Sequence, residues 1–596
     1  MKKALSLAAL CMVIFGISAC HKDSSPGTRN PDPIRIDLST KISSKIEGFV
    51  TDPAGKAIPF AQVFAGTRQV NTDEFGYFSI PSVSLPEAAG LIKVTAPGYI
   101  TGLKTIVPQK DKTSFLRIQL QTSTDIGTID AATGGEVTSG EGLRIVLPPN
   151  GVVTAAGGQP YTGEIHVRTK SLKNDDNTQS AFPGDGRGVD SAGYLKALKS
   201  YGAAAIELTS ASGQPLQIAA GKTADIYIPI DPSLQAGAPA SIYLWSFNDT
   251  TGLWRQEGRA TKKGSQYCGT TSHFSFWDGA EAMPLVTVKA RIVDASAHPL
   301  PHVPVRIGIA GLPSNSGNDR FGFTDEDGNV SGSVFANTQF ALEVMTTCSV
   351  TAYSHTFSTG STDLDLGQLS GNLGQSLVTI SGTVNNCNNQ PVADGYVQSY
   401  DHGFYNRIPV TNGTFTFTGL ACTNQTTNIV AIDNTTHQQG TPTTVTLNAG
   451  ANALGVLTAC GTSTMGSISY VLDGVTTTID EPADTIGAYF LPQPAGTVVG
   501  DWTQILVLSK DPNTAQQMAF QFSGGKAIGD GHTLTDVYCN KFSSKHGYWV
   551  QPIKLTITEY GEIGGFVAGS FSNQLLESDN SAVHTFSINF RIRRYN

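Results

Sequence analysis

Apolar and polar residues alternate along this chain in short runs, and turn-forming residues interrupt the runs every few positions. Residues 554–561 read KLTITEYG, residues 565–571 GFVAGSF and residues 584–593 HTFSINFRIR. A period of two is that of a strand with one face buried. The same pattern recurs in three stretches that align with one another. They are SKIEGFVTDPAGKAIPFAQVFAG at 44–66, TVKARIVDASAHPLPHVPVRIG at 287–308 and TISGTVNNCNNQPVADGYVQSY at 379–400. With Gly48, Ala290 and Gly382 superposed, Val50, Ile292 and Val384 fall together. So do Ile58, Leu300 and Val392, and then Val63, Val305 and Val397. Each copy predicts a strand, a turn rich in Asp, Asn, Gly and Pro, and a second strand.

A second element follows each copy: TDEFGYF at 72–78, TDEDGNV at 324–330 and a shortened TNGTF at 411–415. Asp or Asn close before Gly supplies the positive-φ positions of a tight turn. The run at 325–329 lacks the distal Glu of a calcium loop, so a turn is the expectation there. These paired elements resemble the carboxypeptidase-regulatory-like module of exported Bacteroidota proteins. The resemblance implies a seven-stranded, transthyretin-like β-sandwich that is structural or adhesive and carries no catalytic residue.

The expected fold is therefore all-β, with several Ig-like or transthyretin-like β-sandwich domains in tandem behind a lipoprotein signal peptide. The expected boundaries are a signal peptide at 1–20, a flexible tether at 21–42 and sandwiches at 43–122, 282–372 and 373–461. A β-rich middle domain occupies 123–281 and a C-terminal β-domain 462–596. The middle region opens on Gly134-Gly135-Glu136-Val137 and runs to Leu147-Pro148-Pro149. It is similar to the β-rich module of netrin receptors and ankyrins. The tail, with ITEYGEIGGFVAGSF and FSINFRIRR, resembles the C-terminal β-domain of many Bacteroidota lipoproteins. A chain of this layout predicts a first sandwich near the membrane with later domains carried outward.

The anchor is read from the first twenty residues. Lys2 and Lys3 precede an apolar run, Ala4 to Ile17, too short to span a bilayer, and Ser18-Ala19-Cys20 follows. This is the layout of a secretion signal, and its end resembles a lipobox. The resemblance implies diacylation of Cys20 and cleavage just before it. A polar, proline-containing run at 21–33 suits a tether. The expected location is the outer membrane, lipid-anchored, facing the cell surface or the periplasm.

Composition narrows the function classes. The 596 residues suggest about four domains. A net charge of -9 argues against nucleic-acid binding, which needs a basic face. Beyond Cys11 and Cys20, six cysteines remain, and export permits disulfides. At least one bridge is expected among Cys387, Cys422 and Cys460, with Cys387–Cys460 the leading pair because both fall at one end of a sandwich. No Cys-x-x-Cys, His-Glu-x-x-His or Gly-x-Ser-x-Gly occurs, so no catalytic, metal or cofactor site is expected. Ala220-Gly221-Lys222-Thr223 lacks the first glycine of a phosphate loop, and Gly184-Asp185-Gly186-Arg187-Gly188 lacks the dinucleotide spacing. Trp245 and Trp254 flank a turn and are candidate ligand-binding residues, since exposed indoles stack on sugars. A buried aromatic pair is the competing expectation. Residues 174–177 and 185–190 form an acidic stretch with oxygen ligands suited to calcium, although loop charge is the plainer account. Asp190-Ser191-Ala192, Asp249-Thr250-Thr251 and Asp484-Thr485-Ile486 match a Bacteroidota O-glycosylation pattern. Two function classes follow. One is a non-catalytic envelope protein that binds a glycan or another envelope protein. The other is an enzyme or accessory subunit acting on polysaccharide or peptide.

Overall fold

A computed structural model describes residues 30–172, 181–312, 318–371, 373, 376–401, 404–481, 484–491, 501–509, 516–541, 546–549, 554–561, 565–579 and 582–595. Cys20 and residues 174–177 lie outside these. Among the described residues the regular elements are strands, together with a 3-10 turn at Gln235–Gly237. No helix among them is long and apolar enough to cross a membrane.

The repeated sequence positions become repeated core positions. Val50, Ile292 and Val384 are all fully buried, as are Val63, Val305 and Val397. Each first strand is followed by an identical bridge: Thr51 with Ala57, Val293 with Pro299, Asn385 with Pro391. The turn inside each bridge closes on one side-chain oxygen. Asp52 Oδ1 accepts from the Ala54 and Lys56 amides, Asp294 Oδ1 from Ser296 and His298, and Asn386 Oδ1 from Asn388 and Gln390. A short acceptor two and four residues before the amides it serves closes this turn through local hydrogen bonds alone. The second element behaves likewise. Asp73 Oδ1 takes the Phe75 and Tyr77 amides, and Asp325 Oδ1 takes those of Asp327 and Asn329.

The first two copies build sandwiches of three plus four strands in the same order. In the first, Lys41–Thr51 lies between Tyr77–Pro86 and Thr113–Gln119, and Gln62–Ala65 and Gly90–Thr95 are the inner strands of the opposing sheet. In the second, Leu285–Val293 is central to the three-stranded sheet, and Pro304–Ile309 and Gln339–Met345 are the inner pair of the other. The sequence difference at the aligned glycine has a steric cause. Gly48 sits against Leu116 in a regular parallel register, and a Cβ there would lie 2.0 Å from the Leu116 carbonyl oxygen. At Ala290 the partner strand bulges between Asp365 and Gln368, and the methyl group is accommodated. In the third copy the two layers join through the Thr411–Thr414 hairpin into one nine-stranded sheet.

Between the first two copies, residues 124–283 form one thirteen-stranded sheet whose longest member is Leu195–Ser210. The C-terminal ten-stranded sheet curls until Asp484–Leu491 meets Val583–Arg593 again, through an Ala488–Arg594 bridge and the Tyr595 amide on the Ala488 carbonyl at 2.8 Å. Phe520, Phe522, Phe571, Phe586 and Phe590 fill its interior.

The units are not strung outward one after another, which corrects the expectation that later domains are carried outward from the first sandwich. The first sandwich touches all four others. Its Leu103 and Ile100 pack with Trp245, Phe247 and Trp254 of the middle unit. Phe115 stacks on His302 of the second sandwich at 4.1 Å. Asp73 pairs with Arg407 of the third at 3.3 Å, and Arg407 lies between the Tyr77 and Tyr396 rings. Phe60 packs under Arg593 and beside Tyr595 of the C-terminal unit. A disulfide, Cys348–Cys422, joins the second sandwich to the third, and a second one, Cys387–Cys460, closes the third on itself.

Candidate functional site at the junction of three units

Where the first sandwich, the middle unit and the second sandwich meet, they leave a half-open cleft of about 230 Å³. Three cations from separate elements border it. Strand Gly102–Ile106 turns Leu103 and Thr105 into the interface with the middle unit and leaves Lys104 between them. Lys104 Nζ donates to the Phe182 carbonyl at 2.7 Å. Burial pushes this amine down to about 7, against the pull of the Asp185 charge. Strand Thr113–Gln119 contributes Arg117, whose guanidinium lies over the rings of Phe323 and Tyr405 at 5.1 and 5.5 Å. Burial lowers it to about 10. Strand Arg320–Phe323 contributes Arg320, which donates from Nη2 to the Leu198 carbonyl at 2.9 Å. The buried Nε atoms of Arg117 and Arg320 have no hydrogen-bond partner.

The middle unit shapes the cleft through its glycine-rich segment 184–188. Gly186 has a φ of +79°, and a Cβ there would meet Arg320 Cζ at 2.6 Å, so glycine lets the arginine pass the loop. Asp185 in the same segment is held by Arg187 at 2.7 Å. Behind the cleft, Ser200 donates to the wholly buried Asp278 carboxyl at 2.6 Å. Burial raises Asp278 to about 7, with the Ser200 hydrogen bond and the Arg320 charge opposing. The rim is apolar: Phe321 is 39% exposed and Val107 48%. The described lining holds no imidazole and no thiol. What it offers is cations, hydroxyls, an exposed ring and the carboxyl groups of Asp185, Asp319 and Asp325.

No family model matches the chain. Mouse cartilage intermediate layer protein 2 is 27% identical over 220 residues, covering 35% of this chain and 19% of that protein. The human protein of the same name is 33% identical over 132 residues, or 22% and 11% of the respective lengths. The match thus spans less than a fifth of either relative. Among solved structures, the minor pilin GBS52 of Streptococcus agalactiae aligns with 30% of this chain at 9% identity and a TM-score of 0.16, covering 97% of the pilin. BcpA, the major pilin subunit of Bacillus cereus, aligns with 55% of this chain at 9% identity and a TM-score of 0.12, covering 99% of BcpA. The fold described above rests on the strand orders and not on these alignments.

The sequence-derived candidates occupy other places. Trp245 and Trp254 are fully buried and cannot stack on a ligand, which corrects their reading as binding residues. Their indole N–H groups donate to the Ala280 and Pro183 carbonyls at 3.0 and 3.2 Å. They lie on the sheet face that the first sandwich covers, so the hairpin has no free side. Asp190 serves a turn, accepting the Ala192 and Tyr194 amides. Cys387 and Cys460 are bonded to each other. Lys104 and Arg320 carry no motif, and only the folded chain brings them together.

Proposed function

We propose that this chain is a non-catalytic structural and adhesive protein of the Bacteroidota cell envelope, anchored to the outer membrane by a lipid on Cys20. The observation that carries the reading is the hub made by the first sandwich. Asp73, Phe60, Phe115 and Leu103 each engage a different neighbour. A chain whose charged and aromatic residues are spent on fixing five units in one block is suited to bearing load and presenting a surface. The two disulfides fit an exported chain. In this reading the mature chain begins at Cys20 and the tether is shorter than the expected 21–42, since Ile36 and Leu38 already pack on the block and Lys41 opens the first strand. The surface it presents is for a glycan or another envelope protein.

Labelling with an acyl-chain probe tests the anchor. The wild type takes up label and Cys20→Ala does not, while a labelled Cys20→Ala protein removes the anchor. The chain lacking residues 1–20, offered to a glycan array and to panels of polysaccharides and peptides, tests the rest. Binding without turnover is expected. Turnover that one acidic substitution abolishes would establish an enzyme instead.

A further inference from the structure

We infer that the chain leaves its membrane anchor beside Asn337, so that this end of the second sandwich faces the lipid surface and the third sandwich is held away from it. The inference rests on the lipid-anchored reading and adds which face meets the membrane. Residues 30–40 precede the first strand, yet they lie along the block as a strap. Asn30 Oδ1 accepts from Asn337 Nδ2 at 3.3 Å. The Ile34 carbonyl accepts the Leu195 amide of the middle unit at 2.8 Å. Arg35 lies over the Tyr194 ring at 4.5 Å. Ile36 and Leu38 pack on the core that Leu195, Ala197 and Leu253 of the middle unit share with the second sandwich. The Thr40 carbonyl takes the Glu87 amide at 2.9 Å, and Lys41 then opens the first sandwich. Three units thus hold the strap at separate points.

The strap moves the point of exit. Asn30 stands ten positions after Cys20, a reach of at most about 35 Å. A tether free as far as Lys41 would reach about twice that distance and would leave the block at Glu87 on the first sandwich. Exit at Asn337 also orients the second sandwich. Strand Gln339–Met345 begins at that end and runs seven residues, about 23 Å, toward the turn that carries Cys348. Cys348 is bonded to Cys422 of the third sandwich, so the third sandwich is fixed at the end opposite the strap. Around Asn337 lie residues 310–312, 336–339 and 358–363, joined by the Ala310 amide on the Gln339 carbonyl and the Asn337 amide on the Gly360 carbonyl. These segments hold no lysine or arginine. Their one acidic residue, Asp363, takes the Thr287 amide at 2.7 Å. Such a surface has no basic cluster to grip anionic headgroups, and the tether alone brings it to the membrane.

Energy transfer from dyes on the protein to an acceptor on lipid headgroups tests this. The chain lacking residues 1–20 carries an oligohistidine tag in place of Cys20 and is held on phosphatidylcholine vesicles by a nickel-chelating lipid. An azide-bearing residue at Gln339, Val350 or Glu87, all exposed, takes the dye. Transfer from Gln339 is expected to exceed that from Val350 roughly twofold or more, since a strand length separates them, and to exceed that from Glu87. Ile36→Ser/Leu38→Ser is expected to free the strap and place Glu87 first. Equal transfer from Gln339 and Val350, or greater transfer from Glu87 with the strap unaltered, overturns the inference. So does an unchanged order once loss of Leu195 amide protection shows the strap to be free. The acyl-chain label on the full chain reads the anchor separately. An unlabelled Cys20 with the expected order keeps the exit point and removes the lipid, and a labelled Cys20 with the order overturned does the reverse.

Discussion

The first and third copies of the repeat reach the same core by different fastenings. In the first, the Thr72 hydroxyl donates to the Ile58 carbonyl at 2.8 Å and accepts the Ala61 amide at 2.9 Å, clipping the second strand to the turn element. Thr324 does the same in the second copy, with the Leu300 carbonyl and the Val303 amide. The shortened third copy has no such clip; its Gly413 amide bonds directly to the Val392 carbonyl at 2.8 Å. In compensation it carries Cys387 on the turn after its first strand and Cys460 just beyond its last. The parallel registers align Cys387 with Pro53 and Cys460 with Gln121 of the first copy. There only a long hydrogen bond from Gln119 to the Pro53 carbonyl, 3.5 Å, spans the gap. One sandwich plan thus tolerates replacement of a buried hydroxyl clip by a covalent one, because either ties the first hairpin to the rest of the sheet.

Removing the covalent clip should have the largest effect. The Cys387–Cys460 bridge spans 73 residues of chain. In the chain-entropy account a loop of that length stabilises by roughly 4 kcal/mol. The double variant Cys387→Ser/Cys460→Ser should lose amide-exchange protection through Leu377–Asn386 and keep it in Lys41–Thr51. Equal loss in both strands would mean that the copies are fastened jointly rather than separately.

Protonation should distinguish the first copy from the second. Phe60 and His302 hold the same repeat position, with φ of 55° and 57°, and each turns its ring onto a neighbouring unit. Burial, helped by the nearby Arg117 charge, pushes His302 down to about 4. Glu47 Oε1 is 3.7 Å away, but burial raises Glu47 and its other oxygen accepts the Tyr77 hydroxyl, so it supports an imidazolium weakly. The unfolded chain therefore takes the proton first. Stability is full above about 6.5 and falls as the pH drops toward 4, by about 3 kcal/mol at most. His302→Phe installs the residue that the first copy already accommodates at this backbone geometry. Its melting temperature should fall less than that of the wild type between pH 7 and 5. Parallel curves would show that His302 does not govern the junction.

What could be read from the sequence was local. The spacing of Val50, Ile58 and Val63 fixed three core positions in each copy, because a period of two and an Asx turn operate within a few residues. The contacts that set the units against one another were not legible, since Phe49, Tyr77 and Tyr405 meet only after folding. The tryptophans misled for a definite reason. Residues 241–248 alternate less than they look, and positions 244–247 are all buried because the middle unit's own core lies on one face of their sheet and the first sandwich covers the other. Alternation predicts a wet face only for a sheet covered on one side. The cleft was illegible for the same reason as the hub: its cations come from three segments far apart in the chain.

The smallest predicted effect is also the most direct test of the two fastenings. Thr72 is buried, and Thr72→Val keeps its shape while removing a hydroxyl that both gives and takes a hydrogen bond. The Ile58 carbonyl and the Ala61 amide would then lie buried without that partner, at a cost of about 2 kcal/mol. Thr411, from the corresponding TNG turn of the third copy, is exposed, and its side chain makes no such clip. Thr411→Val should therefore stay within ~0.5 kcal/mol of the wild type. Denaturant unfolding followed by amide exchange in each sandwich reads both variants. A loss at Thr72 confined to the first sandwich fits a clip that acts on its own copy. A Thr411 loss as large as the Thr72 loss would mean that the turn, and not the hydroxyl, is what fastens the repeat.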